Sequence, residues 1–358
     1  MVSIRMLSAA TLTLTVMAYS PRADLEAGHY LKALADAETQ LESNPSDALA
    51  WAAKSQALMS MQRFGEAMTS AEKSLALKPG LADGFQARGL ARAGTAVQQR
   101  NFSSLRSASG AMDDLQAAVQ ADPKLATAWL ALGLAYQQLP GILGGSTRKA
   151  LQCAESLRQF SPAKGDLLQG TILAMANRWK DAEPLFTRAL AAAPADPETV
   201  FGYLEALSSK ETRKSLGETE QKRRLATEAR RLLPSVRTSA RGVTSVSEAL
   251  LDANQPEEAW TVAKEALNQV DAPSLLRLHL GKLAARTGLH REEGLAMLDQ
   301  VLKEPLEGGS GGYPSAHWRR GQILKDLGRK AEAKADAEAA LKLDPNHPGA
   351  KKLLEGLG

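Results

Sequence analysis

Residues 315–347 read SAHWRRGQILKDLGRKAEAKADAEAALKLDPNH. Trp318, Gly321 and Leu324 recur at three-residue steps, which puts an aromatic, a gap and an aliphatic on one side of a helix. Gly328 marks a break after it. Ala333, Ala337 and Ala340 then line one side of a second helix, and Pro345, which has no N–H to continue the ladder, closes it. Small residues on facing sides let two helix backbones approach, and the large side chain fills the space left beside them. The stretch predicts a hairpin of two helices.

The same grammar runs backwards through the chain. Trp129, Gly133 and Tyr136, Phe85 and Gly89, and Gly170 and Leu173 repeat the first half. Ala67–Leu77, Ala111–Ala121, Ala150–Phe160, Ala182–Ala192 and Ala259–Leu267 repeat the second. Pro45, Pro79, Pro123, Pro162, Pro194, Pro234, Pro273, Pro305 and Pro345 follow at intervals of 32 to 44 residues. A fixed period of this length is the signature of a solenoid. These residues at these spacings resemble the tetratricopeptide repeat family over about 24–358. The last unit, with Trp318 and Pro345, matches best, and the unit from Ala126 matches nearly as well. The unit from Ala48 carries Lys54 and Ser55 where Leu and Gly are usual, and units within 195–305 are degenerate. The resemblance implies an all-α fold, an alpha-alpha superhelix built as a solenoid of antiparallel helix pairs.

The expected division is a signal peptide at 1–23, a capping helix at 24–47, repeat units at 48–207, a linker or long loop at 208–220, degenerate units at 221–305, a Gly-rich loop at 306–313, and a last repeat with a capping helix at 314–358. Residues beyond a 34-residue period are expected in loops, at 94–110, 140–146, 208–220 and 306–313, with Ser146 capping the helix after it. Met1–Arg5 is a short basic start and Met6–Ala18 an apolar stretch, with cleavage expected after Ala18 or Ala23. That pattern predicts export to the periplasm or beyond; the alternative is a cytoplasmic chain with an ordinary first helix.

Composition agrees with close-packed helices. Roughly one residue in six is alanine, and Trp, Tyr and Phe together number 16 of 358. A single cysteine excludes a disulfide framework and any Cys-rich metal site. The net charge of +4 is unevenly spread. Residues 210–241 hold ten Lys or Arg against four Glu, on a mildly acidic body. This is not the footprint of a nucleic-acid binder, although the segment could meet an acidic partner or a membrane surface.

No catalytic constellation is legible. Gly308–Gly312 satisfies G-x-S-x-G but lacks the strand that a nucleophile elbow needs, and reads as a linker. His29, His279, His290, His317 and His347 are not spaced as a metal pair. Cys153 reads as a small buried hydrophobe. No enzyme, cofactor or metal is expected.

The resemblance also implies a concave groove lined by the first helix of each unit. Carried onto this sequence, the inward positions include Met59, Leu90, Leu130, Leu134, Gln137, Tyr203, Glu248, His279, Lys282, Arg286, Trp318, Arg319 and Lys325. They run from a neutral N-terminal half to a basic C-terminal half, which suits a peptide with acidic residues at one end. The Asn-containing clamp by which some family members hold a chaperone carboxylate is missing from these positions. The expected function is a non-catalytic scaffold for a protein or peptide in the cell envelope. The alternative is an exported accessory that holds a small ligand.

Overall fold

Helix starts are set by short side chains that satisfy orphan amides. Asp47 accepts from the N–H groups of Leu49 and Ala50, Asp196 from Glu198 and Thr199, Ser239 from Gly242, and Ser146, as expected, from Lys149. Pro162 and Pro273 occupy the first turn of a helix, where a missing N–H costs nothing, so they open the following helix. Pro234 departs from its expected role: it sits inside a helix that runs on to Val236.

The computed structural model describes residues 24–25, 28–99, 102–308 and 311–357. The expected signal segment, 1–23, lies outside them. α1 (Tyr30–Ser43) precedes a series of helix pairs. These are α2 (Ala48–Ser60) with α3 (Phe64–Leu77), α4 (Ala82–Gln99) with α5 (Phe102–Ala121), α6 (Ala126–Gln138) with α7 (Thr147–Arg158), and α8 (Pro162–Met175) with α9 (Trp179–Ala192). The series continues with α10 (Pro197–Ser208), the short α11 (Lys210–Leu216) and α12 (Glu218–Val236), then α13 (Ala240–Asp252) with α14 (Pro256–Ala266). α15 (Pro273–Thr287) pairs with α16 (Arg291–Val301), α17 (Gly312–Asp326) with α18 (Lys330–Leu343), and α19 (Pro348–Glu355) covers the end. Among the described residues there is no strand. The first helix of a pair also packs on the first helix of the next: α2 on α4, α6 on α8, α8 on α10, α10 on α13, α13 on α15 and α15 on α17. α4 and α6 meet through the Thr127–Gln86 hydrogen bond. This is the contact pattern of an alpha-alpha superhelix.

The pairing rests on three recurrent devices. The first is close approach: a Cβ on Gly321 would lie 3.2 Å from the Ala333 carbonyl, and one on Gly89 would lie 3.1 Å from that of Ala111. Where serine replaces this glycine, its hydroxyl fills the gap and donates to the same carbonyl. Ser55 Oγ reaches Ala67 O and Ser247 Oγ reaches Ala259 O, both at 2.7 Å. The second device is a tie to the previous unit: the indole Nε1 of Trp51 donates to Pro45 O, and that of Trp129 to Pro123 O, each at 2.9 Å. The third is a buried carboxylate facing the residue before the glycine. Asp114 binds Arg88 and Arg92, and Asp336 binds Arg320 and His317.

Two stability predictions arise here. Ala150 is fully buried, so Ala150→Leu should overpack its helix contact and cost about 1–3 kcal/mol; an unchanged thermal midpoint would refute this register. Trp129 is only half-buried and its one polar bond is to a carbonyl. Trp129→Phe should therefore cost about 1 kcal/mol in urea unfolding, the value of one hydrogen bond, and a loss above about 3 kcal/mol would place the ring in the core instead.

Two expectations about the connections change. The extra residues at 94–110 do not form a loop; they lengthen α4 and α5, on either side of residues that are not described. The stretch 208–220 folds as α11 and the start of α12, divided at Gly217. The loop 140–146 does carry a helix stop, with one 3-10 turn at Gly141–Leu143 and Gly144 in the left-handed region.

The stack also curls back on itself, where an elongated one is expected. His29 Nε2 lies 3.1 Å from Asp271 Oδ2, and the Leu31 amide donates to Glu307 Oε1 at 3.2 Å. Arg241 reaches the Tyr30 hydroxyl at 3.4 Å. Leu306, Glu307 and Gly308, from the Gly-rich loop, are buried. A Cβ on Gly308 would lie 2.9 Å from the Ser60 carbonyl, so glycine is what admits this approach of two chain segments. α1 and the α2–α3 turn thus face the inner side of units more than 200 residues later.

Candidate functional site

Closure converts an open groove into a cleft. Three first helices, α10, α13 and α15, supply one wall, and Tyr30, Ser60 and Gln62 supply the other; the space between is about 830 Å³. On α10 the inward stripe is Phe201, Leu204, Glu205 and Ser208, and on α13 it is Arg241, Thr244, Ser245, Glu248 and Asp252. These steps of three and four residues are one helix face. Leu275 and Lys282 of α15 and Glu307 complete the wall.

The polar heart of this wall is a network on Glu248. Lys282 Nζ binds its Oε1 at 2.7 Å and Arg286 binds its Oε2 at 2.6 Å. His279 Nδ1 is 3.5 Å from Oε1. Burial opposes the charged form of Glu248, but the neighbouring cations, His279 when it carries a proton and Lys282 and Arg286 throughout, prevail and hold its carboxyl at about 2. His279 is fully enclosed, and burial pulls its imidazole down to about 4 against the attraction of Glu248. Ser247 Oγ donates to Ala259 O, so it accepts from His279 Nε2–H at 2.8 Å, which leaves Nδ1 as the bare nitrogen.

Other charged groups in the cleft are less committed. Asp252 accepts from Ser208, and Arg241 lies over the Phe201 ring at 5.5 Å. Glu205 and Glu211 have neither a hydrogen bond nor an ion pair among the described residues. Burial in the cleft raises the Glu205 carboxyl, with Arg241 working in the opposite direction. The Thr244 hydroxyl oxygen is buried and unpartnered.

A second cleft, of about 540 Å³, lies between the α2–α4 region and the last repeat. Phe64, Val97, Tyr313, Trp318 and Leu343 give it an apolar lining. Arg319 stacks on Trp318 at 3.7 Å, and burial brings its guanidinium down to about 10.

The structure sorts the sequence-derived groove residues into four groups. Glu248, His279, Lys282 and Arg286 come together in one network, and Glu248 and Lys282 line the larger cleft. Trp318 and Arg319 line the smaller. Leu130, Tyr203 and His279 are 8%, 7% and 3% exposed, which corrects their expected place on an open surface. Leu130 belongs to the core of the neighbouring units, and Tyr203 packs on Phe186 at 5.4 Å. Met59, Leu90, Leu134 and Gln137 are half-buried and Lys325 is exposed; none of them borders either cleft.

Tyr30, Phe201, Glu205, Arg241 and Glu307 escape the sequence reading. For α10 the miss is one of register. The helix begins at Pro197 under an Asp196 cap, three residues after Pro194, the same spacing that separates Pro123 from Ala126. The positions equivalent to Leu130 and Leu134 are therefore Phe201 and Glu205, not Tyr203. The cap is the signal that could have found it.

The basic segment changes character as well. Lys222 pairs with Glu218, Arg223 with Glu220, Arg224 with Glu220 and Glu183, Arg230 with Glu258 and Arg231 with Glu228. Arg241 turns inward to the cleft. Arg213 bonds Gln221, and Lys210, Lys214 and Arg237 have no ion pair among the described residues, so the segment's positive charge is paired locally only from Lys222 to Arg231. No group of three or more potential metal ligands occurs among the described residues.

Family models of the tetratricopeptide repeat match residues 22–82 and 314–347. Among solved structures, the chain is similar to a thermophilic TPR protein of Thermus thermophilus, with 20% identity over 52% of this chain and 98% of that one, at a TM-score of 0.44. It is similar to a tetratricopeptide repeat protein of Parabacteroides merdae, with 14% identity over 74% and 95% and a TM-score of 0.43. Yeast Tom70 is similar at 13% identity over 94% and 79%, with a TM-score of 0.47. No curated protein matches the chain.

Proposed function

This chain is a tetratricopeptide repeat protein, and from that premise we propose that it is a non-catalytic scaffold which takes a protein segment or peptide into the cleft between its first helices and units α10–α15. The supporting observation is the wall itself. An apolar stripe of Phe201, Leu204 and Leu275 carries two carboxylates without an ion pair among the described residues, Glu205 and Glu211, along the lining of an 830 Å³ space. Apolar walls with a few placed polar groups are what recognition of an extended segment requires. Affinity capture with the full chain tests this, run beside a Phe201→Asp variant. The expected result is a protein partner retained by the native chain and lost by the variant; equal retention by both would overturn the cleft as the site.

The size of the cleft favours one second reading, an accessory that holds a small ligand, since such pockets span about 300–1,000 Å³. Native mass spectrometry showing a stoichiometric small molecule, with no protein captured, would decide for it. Export to the cell envelope is proposed on the pattern of Met1–Ala18. N-terminal sequencing of protein from its native host should begin at Tyr19 or Asp24, and intact Met1 would overturn it.

A further inference from the structure

The charges that line the larger cleft do not balance. Its carboxylates are Glu205, Glu211, Glu248, Asp252 and Glu307, and its cations are Lys210, Arg241 and Lys282. Five carboxylates thus face three cations, of which Lys210 has no ion pair among the described residues. Lys282 is bound to Glu248, which also takes Arg286 from the rim, and Arg241 is held over Phe201 and against Tyr30. Glu205 and Glu211, on consecutive helices, make no hydrogen bond or ion pair among the described residues; Arg241 is the cation whose field reaches Glu205, which stands one turn from the Phe201 ring. Burial disfavours the charged form of Glu205 more than Arg241 favours it, and an incoming cation relieves that.

Resting on the scaffold reading above, we infer that the occupant of the cleft is a lysine- or arginine-bearing peptide segment, its cationic ends at Glu205 and Glu211 and its aliphatic stems along Phe201, Leu204 and Leu275. The long stems of Lys and Arg cover apolar surface while their heads reach a carboxylate. Tyr30, Ser60 and Gln62 close the segment in from the other side, so the site is complete only in the curled chain. The sign is opposite to that expected from the sequence, because Lys282 and Arg286, counted there as free basic groups, are already paired with Glu248.

The test uses the purified full chain and two fluorescent octapeptides with one apolar frame, carrying two lysines or two glutamates. Anisotropy titration should show the lysine peptide binding about tenfold or more tightly at low salt, with the advantage shrinking as salt rises. The Glu205→Gln/Glu211→Gln variant should lose about fivefold or more for the lysine peptide at an unchanged melting temperature, while Glu265→Gln, outside the cleft, binds as the native chain does. Tighter binding of the glutamate peptide, or lysine-peptide binding that survives the double substitution, would overturn the assignment and leave the scaffold reading standing. Binding of neither peptide would also overturn it, and the capture experiment above then decides the scaffold reading independently.

Discussion

Replacing Phe186 by alanine should lower the unfolding free energy by about 3–5 kcal/mol, the range for emptying a buried aromatic site. Phe186 is 0% exposed, with its ring centroid 5.8 Å from Trp179 and 5.4 Å from Tyr203. Trp179 and Tyr203 themselves lie 6.4 Å apart, so three rings close one cluster across α9 and α10. The glycine opposite, Gly170, has its would-be Cβ 3.1 Å from the Phe186 ring. The backbone has already approached as far as the ring allows, and a cavity there cannot collapse further without moving a helix. A fall in the urea midpoint with an unchanged slope is the expected readout, and Phe186→Leu should cost less than half as much. A loss under about 1 kcal/mol for alanine would mean that the cluster does not hold the two helices together.

Acidification should cost about 3 kcal/mol between pH 6.5 and 4 through one side chain, His279. Its folded imidazole is held at about 4 by burial, whereas an unfolded histidine titrates near its ordinary value of 6.5. Between those two values the unfolded chain binds the proton and the folded chain does not, so stability falls as pH falls. Glu248, held at about 2 in the fold, adds a loss of the same sign below about pH 4.5. Denaturant unfolding at several pH values should therefore show His279→Gln with a flatter profile than the native chain from pH 6.5 to 4.5. Parallel profiles would show that the histidine gains its proton in the folded state.

What the sequence reveals of this molecule is what neighbours in the chain decide. The glycine of Gly321, the alanine of Ala333 and the proline of Pro345 act within one hairpin, so their spacing exposes the repeat. The network at Glu248 and Lys282 is legible for the same reason, since adjacent units place it. Tyr203 and Leu130 mislead because an aromatic or leucine one position from the groove face is core, and the difference rests on where a helix starts. The cleft's far wall is beyond such reasoning altogether. His29 and Asp271 are 242 residues apart, and polar pairs of this kind leave no periodicity behind. Their meeting depends on the accumulated curvature of every unit between them. The extended α4 and α5 belong to that arc, and nothing in the spacing of Gly89 and Asp114 says whether additional residues will loop out or continue the helices.

The contact between the two ends gives the arc a gauge. In an open solenoid a small change of tilt at one helix pair alters only the local surface, since each unit touches its neighbours alone. Here the tilts of the units from α2 to α14 sum before the chain meets itself, and the width between Tyr30 and Arg241 is that sum. A substitution such as Gly133→Ala sits far from the cleft along the chain. Its new methyl, 2.7 Å from Leu168, would wedge α6 away from α8 and appear at the cleft as a change in opening. The width of the cleft is thus written partly in the packing between helices that do not line it.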